Sequence, residues 1–183
     1  MDSKTVGDVM LPLEEYATIG KDRTLRDAVR ALNKAQLGLT YDRHQHRAIL
    51  VLDRAGTVVG KLTHWAILCS LEPELLGQGD MASLDRAGLS PEFLDRLRSN
   101  ARSFGGSINR MCKVAARVRV ADAMVPIGES ITEDAPLSEA IQQFVLLHAQ
   151  SLLVRRGGKA VGILRLSDVF EEVADRIRED DVV

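Results

Sequence analysis

Cysteine is sparse in this chain: two residues, Cys69 and Cys112, stand far apart with no C-x-x-C spacing. That excludes a disulfide-built scaffold and fits thiols kept reduced in a cytoplasm. An excess of positive charge is also missing, since the formal net charge is −2. A generic polyanion binder needs many phosphate-neutralising cations, so nucleic acid is not expected as a partner. No apolar run approaches the roughly 20 residues that span a bilayer, and MDSKTVGDVM has no apolar signal core. Membrane insertion and secretion are therefore not expected, and a cytoplasmic location is. Finally, no nucleophile-and-base pair, phosphate loop or paired-carboxylate signature is present, which argues against an enzyme.

What the chain does contain is an internal repeat, and a repeat defines the structural unit. Val58 to Leu68, VVGKLTHWAIL, returns as Ala160 to Phe170, AVGILRLSDVF. Each copy follows an apolar strand and a glycine-containing turn, AILVLDRAGT from Ala48 and SLLVRRGGK from Ser151. Thr24 to Gln36 answers Pro136 to His148, and Val6 to Met10 answers Val120 to Met124. The four blocks keep their order while their spacing changes, so insertions have entered loops rather than elements.

Within a copy, Leu25, Ala28, Val29 and Leu32 fall on one helical stripe, and Leu137, Ala140, Ile141 and Phe144 repeat it. Thr24 with Asp27 reads as a capping box, and Pro136 suits a first helical turn. Five consecutive apolar residues, Ala48 to Leu52, predict a strand covered on both faces. Asp53 to Gly56 supplies turn chemistry before a second strand at Val58 to Leu62, and a helix follows over Thr63 to Leu71. The order is β-α-β-β-α in each copy. A lone copy has too small a core, so the two are expected to pack on each other. Val9 and Met10, ahead of Pro12, need cover from beyond their own turn.

These residues resemble a pair of CBS domains, the regulatory repeats named after cystathionine β-synthase: VGDVM, TLRDAV, an apolar strand closing in Asp, then G-(apolar)-(apolar)-T-x-x-D. The resemblance covers nearly the whole chain outside the segment between repeats. It implies an α/β (α+β) fold of two repeats, 1–71 and 119–183, packed as a pseudo-twofold pair, with 72–118 as a helical connector. It also implies a non-catalytic regulatory module and a homodimer. Such a module holds an adenine nucleotide, AMP, ADP or ATP, or S-adenosylmethionine in an inter-repeat cleft, with no required cofactor. Altered packing or dimerisation would carry the signal to an unidentified protein target.

By the same resemblance the hydroxyl and the final acid of the motif face phosphate and ribose. An Asp suits two ribose hydroxyls because it only accepts. The motif is split here. The first copy has Gly60, Lys61, Leu62 and Thr63 but Ala66 in place of the acid; the second has Gly162, Ile163, Leu164 and Asp168 but Arg165 in place of the hydroxyl. Arg165 suits a phosphate, so the second cleft is the better candidate. The expected ligand set is Asp168, Arg165, Ile163, Leu164, Ile131 and Thr132, with Thr63 and His64 at the first cleft, where restoring an acid at Ala66 is expected to create a second site. In the bland alternative, Thr63 and Ser167 or Asp168 merely cap helices.

His44 and His46 with Asp42 form an H-x-H cluster too small for a metal site, and an exposed polar loop is the expectation. His148 lies on a helix without partners. Arg96 to Arg119 holds seven basic residues and no acid. With few aromatics nearby, a solvated helix face is favoured over a nucleic-acid surface. The alternative to nucleotide sensing is a ligand-free protein-interaction module working through this connector.

Overall fold

The computed structural model describes residues 4–37, 46–71 and 108–180. Among them the elements run α1 (Val6–Val9), β1 (Leu11–Pro12), a 3-10 turn (Leu13–Glu15), β2 (Thr18–Gly20), α2 (Leu25–Leu37), β3 (Ala48–Leu52), β4 (Val58–Thr63) and α3 (His64–Leu71). They continue with α4 (Ile108–Ala115), α5 (Val120–Ala123), β5 (Val125–Pro126), β6 (Ser130–Thr132), α6 (Leu137–Leu147), β7 (Ser151–Arg156), β8 (Lys159–Arg165) and α7 (Leu166–Asp180). The fold is mixed α+β, and the predicted β-α-β-β-α order is present twice, as β2-α2-β3-β4-α3 and β6-α6-β7-β8-α7.

Two compact units result. One runs from Ala17 to Ile127; the other joins the chain up to Tyr16 with the chain from Gly128 onward. In the first, the sheet order is β2-β3-β4-β5, and in the second β1-β8-β7-β6. Each sheet has one parallel pair, β2 with β3 or β6 with β7, and an antiparallel hairpin. Its fourth strand comes from the lead segment of the other sequence repeat.

Local chemistry accounts for these elements. All of β3 except Leu52 is buried, as its unbroken apolar run requires. The hairpin after it is closed by Asp53, whose Oδ1 accepts from the Ala55 and Thr57 amides at 2.9 Å each, while Gly56 supplies a φ of 82°. At the start of α2 the capping box is formed: Thr24 Oγ1 accepts from the Asp27 amide at 3.3 Å, and Asp27 Oδ2 accepts from the Thr24 amide at 3.2 Å.

The lead segments enter the same way in both units. The Val6 and Gly7 amides of α1 donate to the Ala135 and Glu133 carbonyls; those of Val120 and Ala121 in α5 donate to Arg23 and Lys21. Val6 and Val120 are each fully buried. The glycine that recurs in the two copies, Gly60 and Gly162, makes room for this crossing. A Cβ on Gly162 would stand 2.6 Å from the Leu11 carbonyl oxygen and 2.9 Å from Met10 Sδ. On Gly60 it would stand 2.8 Å from Met124 Sδ and 2.9 Å from the Val125 oxygen. The repeated glycine is thus matched to the repeated methionine.

Two expectations need correction. Val29 is 46% exposed, so the buried stripe of α2 is Leu25, Ala28 and Leu32, with Ala31 and Ala35 against the core instead. His148 does not lie within a helix; it ends α6 in a left-handed conformation at φ 49°. On α7, Val173 and Ala174 are partly covered and Ile177 is exposed. Of the connector, only α4 and the turn after it are described, and the helices expected within 72–107 lie outside the described residues. Arg110, Lys113, Arg117 and Arg119 are exposed, whereas Arg96, Arg98 and Arg102 lie outside.

Candidate functional site at the exits of the repeated strands

The two strand-to-helix junctions share a frame. Strand register sets Arg165 opposite Ser151 and Thr63 opposite Ala48. The first helical amide of α7, at Leu166, donates to the Gln150 carbonyl at 3.1 Å, and that of α3, at His64, donates to the Arg47 carbonyl at 3.3 Å. One of the free amides expected at each helix start is therefore already occupied.

At the second junction Arg165 and Asp168 meet directly. Arg165 Nε donates to Asp168 Oδ2 and Nη2 donates to Oδ1, both at 2.6 Å, so the contact is a two-pronged fork. The two side chains are only 12% and 14% exposed. Such cover makes the pair far less screened than a surface ion pair. Each carboxylate oxygen retains a lone pair that a donor can use. Ser167 Oγ lies 3.4 Å from Asp168 Oδ1, a marginal contact.

The hydrophobic members of the predicted set have covered side chains. Leu164 is fully buried in the core of its unit and Ile163 is 1% exposed on the opposite face of β8, in register with Leu11. They hold Arg165 at the strand exit. Ile131 is buried in the same core on β6. Thr132 is exposed and in register with Arg155, whereas Arg165 is in register with Ser151. Four residues of β7, roughly 13 Å of strand, separate these rows, so Thr132 sits at the other end of the sheet from the Arg165–Asp168 pair. Sequence reasoning does not single out Ser151 or Gln150, which the register brings beside Arg165 and Leu166. Their signal was only positional: they begin the strand that pairs with the motif.

At the first junction Thr63 is a helix cap. Its Oγ1 accepts from the Ala66 amide at 3.0 Å, as in the bland alternative. His64 is exposed and Trp65 partly buried against the core. Ala66 is fully buried. An acid at this position, expected from the sequence to create a second site, would enter a covered apolar environment.

His46 also departs from expectation. It is fully buried, not part of an exposed loop, and its carbonyl accepts from Gln36 Nε2 at 3.0 Å. His44 and Asp42 lie outside the described residues, among which no group of three or more His, Cys, Asp or Glu is placed to hold a metal ion. Cys69 is half-buried, and burial pushes its thiol up to about 12; Cys112 is exposed. No described helix is long and apolar enough to cross a membrane. A separate cavity of about 210 Å³ lies between α6 and α7, floored by Leu137, Ile141 and Val173 and rimmed by Lys4, Glu172 and Arg176. It shares no residue with the Arg165–Asp168 junction.

Comparison with known proteins agrees with the tandem fold. Solved structures similar to the chain include CBSX2 in complex with AMP, at 19% identity and a TM-score of 0.61, covering 93% of this chain and 97% of that one. The CBS-pair protein CBSX2 from Arabidopsis thaliana is similar at 17% identity and a TM-score of 0.60, covering 97% and 99%. The cytosolic domain of the Mg2+ channel MgtE in complex with ATP is similar at 19% identity and a TM-score of 0.57, covering 93% of this chain and 49% of that one. No curated protein matches. The model of the CBS domain matches residues 6–72 and again 120–175. The chain belongs to the CBS-domain family, as a tandem pair.

Proposed function

We propose that this CBS pair is a non-catalytic regulatory module that binds an adenine nucleotide or adenosyl ligand in the cleft of its second repeat. The observation that carries the reading is the largely covered Arg165–Asp168 pair at the exit of β8. It keeps an acceptor for ribose hydroxyls and a donor fork for phosphate on one strand-to-helix junction. The first junction lacks both the acid and the room for one, since Ala66 is fully buried and Thr63 caps α3. The similar structures of CBSX2 with AMP and of the MgtE cytosolic domain with ATP support the ligand class.

The output is a change in packing or dimerisation that alters binding to a protein target, in a cytoplasm that keeps both thiols reduced. A ligand drives such a change only through different affinity for the two states. Self-association is supported by the exposed apolar side chains Val145, Leu146 and Phe170 on α6 and α7. The test is a thermal melt with AMP, ADP, ATP and S-adenosylmethionine. Ligand at 100 times Kd stabilises by about 2.7 kcal/mol, a rise of roughly 5–10 °C for a chain of this size. No rise with any of the four at millimolar concentration contradicts the proposal.

A further inference from the structure

The formal net charge of −2 hides a division between the two units. Residues 17–127 hold 17 Lys and Arg against 11 Asp and Glu, a net of +6, and the rest of the chain holds 7 against 15, a net of −8. The division is sharpest on two helices. On α2 the exposed side chains Arg26, Arg30 and Lys34 fall at i, i+4 and i+8, a row with about 6 Å of helix between neighbours. On α7 Glu171, Asp175 and Glu179 are exposed at the same spacing. Apolar side chains stand out on both helices: Val29 and Leu37 on α2 are 46% and 86% exposed, and Phe170 and Ile177 on α7 are 70% and 58% exposed. We propose that two copies of this chain associate with unlike units facing, the basic row of α2 in one copy lying along the acidic row of α7 in the other. The inference rests on the reading of the module as a homodimer and names which faces meet.

The choice of faces follows from sign. Two first units brought together oppose +6 to +6, and two second units oppose −8 to −8, so contact between like units is repelled on both sides. A first unit against a second unit is attracted. Complementary charge of this kind steers the encounter and selects the partner face, while the burial of apolar side chains supplies the adhesion. The two rows have equal length, so all three pairs form in one alignment and a slip by one turn loses a pair. Existing contacts survive the docking. Arg26 Nη2 donates to the Cys112 carbonyl at 3.1 Å, and a guanidinium has further N–H donors; Arg178 donates to Asp175 Oδ1, and a carboxylate has two acceptor oxygens. Asp27, the one acid on α2, is held at the helix start by Thr24 and stays out of the basic row.

The experiment is analytical ultracentrifugation of the full chain over a concentration series at about 50 and about 500 mM salt, which span strong and weak interaction between exposed charges. Wild type should be a dimer whose dissociation constant rises about tenfold or more at high salt. Like units facing give the opposite sign, a dimer that tightens as salt screens their repulsion. At low salt, Arg30→Glu with Lys34→Glu should weaken the dimer about tenfold or more, and so should Asp175→Lys with Glu179→Lys. All four substitutions in one chain exchange the signs and should restore the constant to within severalfold of wild type. Reversing one row leaves a dimer of like units as it was, because acid against acid repels as base against base does. Circular dichroism melts establish that each variant is folded; should one not fold, the salt series of wild type decides alone. A dimer that is indifferent to salt or tightened by it, a reversed row without effect, or a fourfold variant no tighter than the two reversals overturns the pairing of unlike units while leaving self-association standing. A chain that stays monomeric at low salt up to millimolar concentration overturns the homodimer reading and this inference with it.

Discussion

Replacing Gly162 with alanine tests how the lead segment is held. The added Cβ would lie 2.6 Å from the Leu11 carbonyl oxygen, a backbone atom, and 2.9 Å from Met10 Sδ. The thioether can swing aside, but the carbonyl belongs to the β1–β8 ladder through Leu11↔Ile163 and Pro12↔Gly162, so relief requires the strands to part. Overpacking of this kind costs about 1–3 kcal/mol, which for 183 residues lowers the melting temperature by roughly 2–12 °C. The control is Gly128→Ala, at a glycine with no positive φ and nothing within 4 Å of the added carbon, which should melt at or slightly above wild type. Circular dichroism melts give the two temperatures. Hydrogen exchange should show faster labelling of residues 6–12 in Gly162→Ala only. If Gly162→Ala melts with Gly128→Ala and keeps its protection, the glycine does not serve this crossing.

Further predictions concern other parts of the chain. Ala66→Asp places a carboxylate at a fully buried position and should cost about 3 kcal/mol or more, lowering the melt without creating nucleotide binding. Thr24→Ala removes the cap hydroxyl that receives the Asp27 amide and should cost about 1 kcal/mol in a denaturant titration. The Thr24 hydroxyl and amide hold the Asp27 carboxyl below its usual range, Thr5 does so for Asp8, and the Arg156 guanidinium does so for Glu133. Folded values below unfolded ones contribute stability that is present above about pH 4 to 4.5 and lost as pH falls through the depressed values. A melt series from pH 6 to pH 3 should therefore decline at its acid end, and flat stability across that range would contradict it. With a thiol reagent near pH 8, Cys112 should react quickly and Cys69 slowly, since burial pushes the Cys69 thiol up to about 12.

Much of the architecture was legible because it rests on local patterns. The run Ala48 to Leu52, the turn at Asp53 to Gly56 and the Thr24–Asp27 box each carry their structure in adjacent residues. The demand of Val9 and Met10 for cover beyond their own turn was also readable. Which strand they meet was not, because β1 and β5 are two residues long and pair with β8 and β4 far away in sequence. Val29 shows the limit of a helical stripe: spacing places it beside Leu25 and Leu32, but the core is met by Ala31 and Ala35. At the junctions, residue types suggested that Thr63 could cap and that Arg165 was charged. That Arg165 and Asp168 grip each other depends on the bend from β8 into α7, and that Thr132 lies at the far end of the sheet depends on register. The burial of His46 is likewise tertiary, since its own neighbours are polar.

The most direct measurement of whether the second repeat is the working site is calorimetric titration of AMP into three proteins: wild type, Asp168→Ala and Thr63→Ala. Wild type should bind one AMP per chain, Thr63→Ala should bind it with unchanged affinity because Thr63 only caps α3, and Asp168→Ala should give no heat. Absence of binding by wild type, or binding that survives in Asp168→Ala and is lost in Thr63→Ala, contradicts the account.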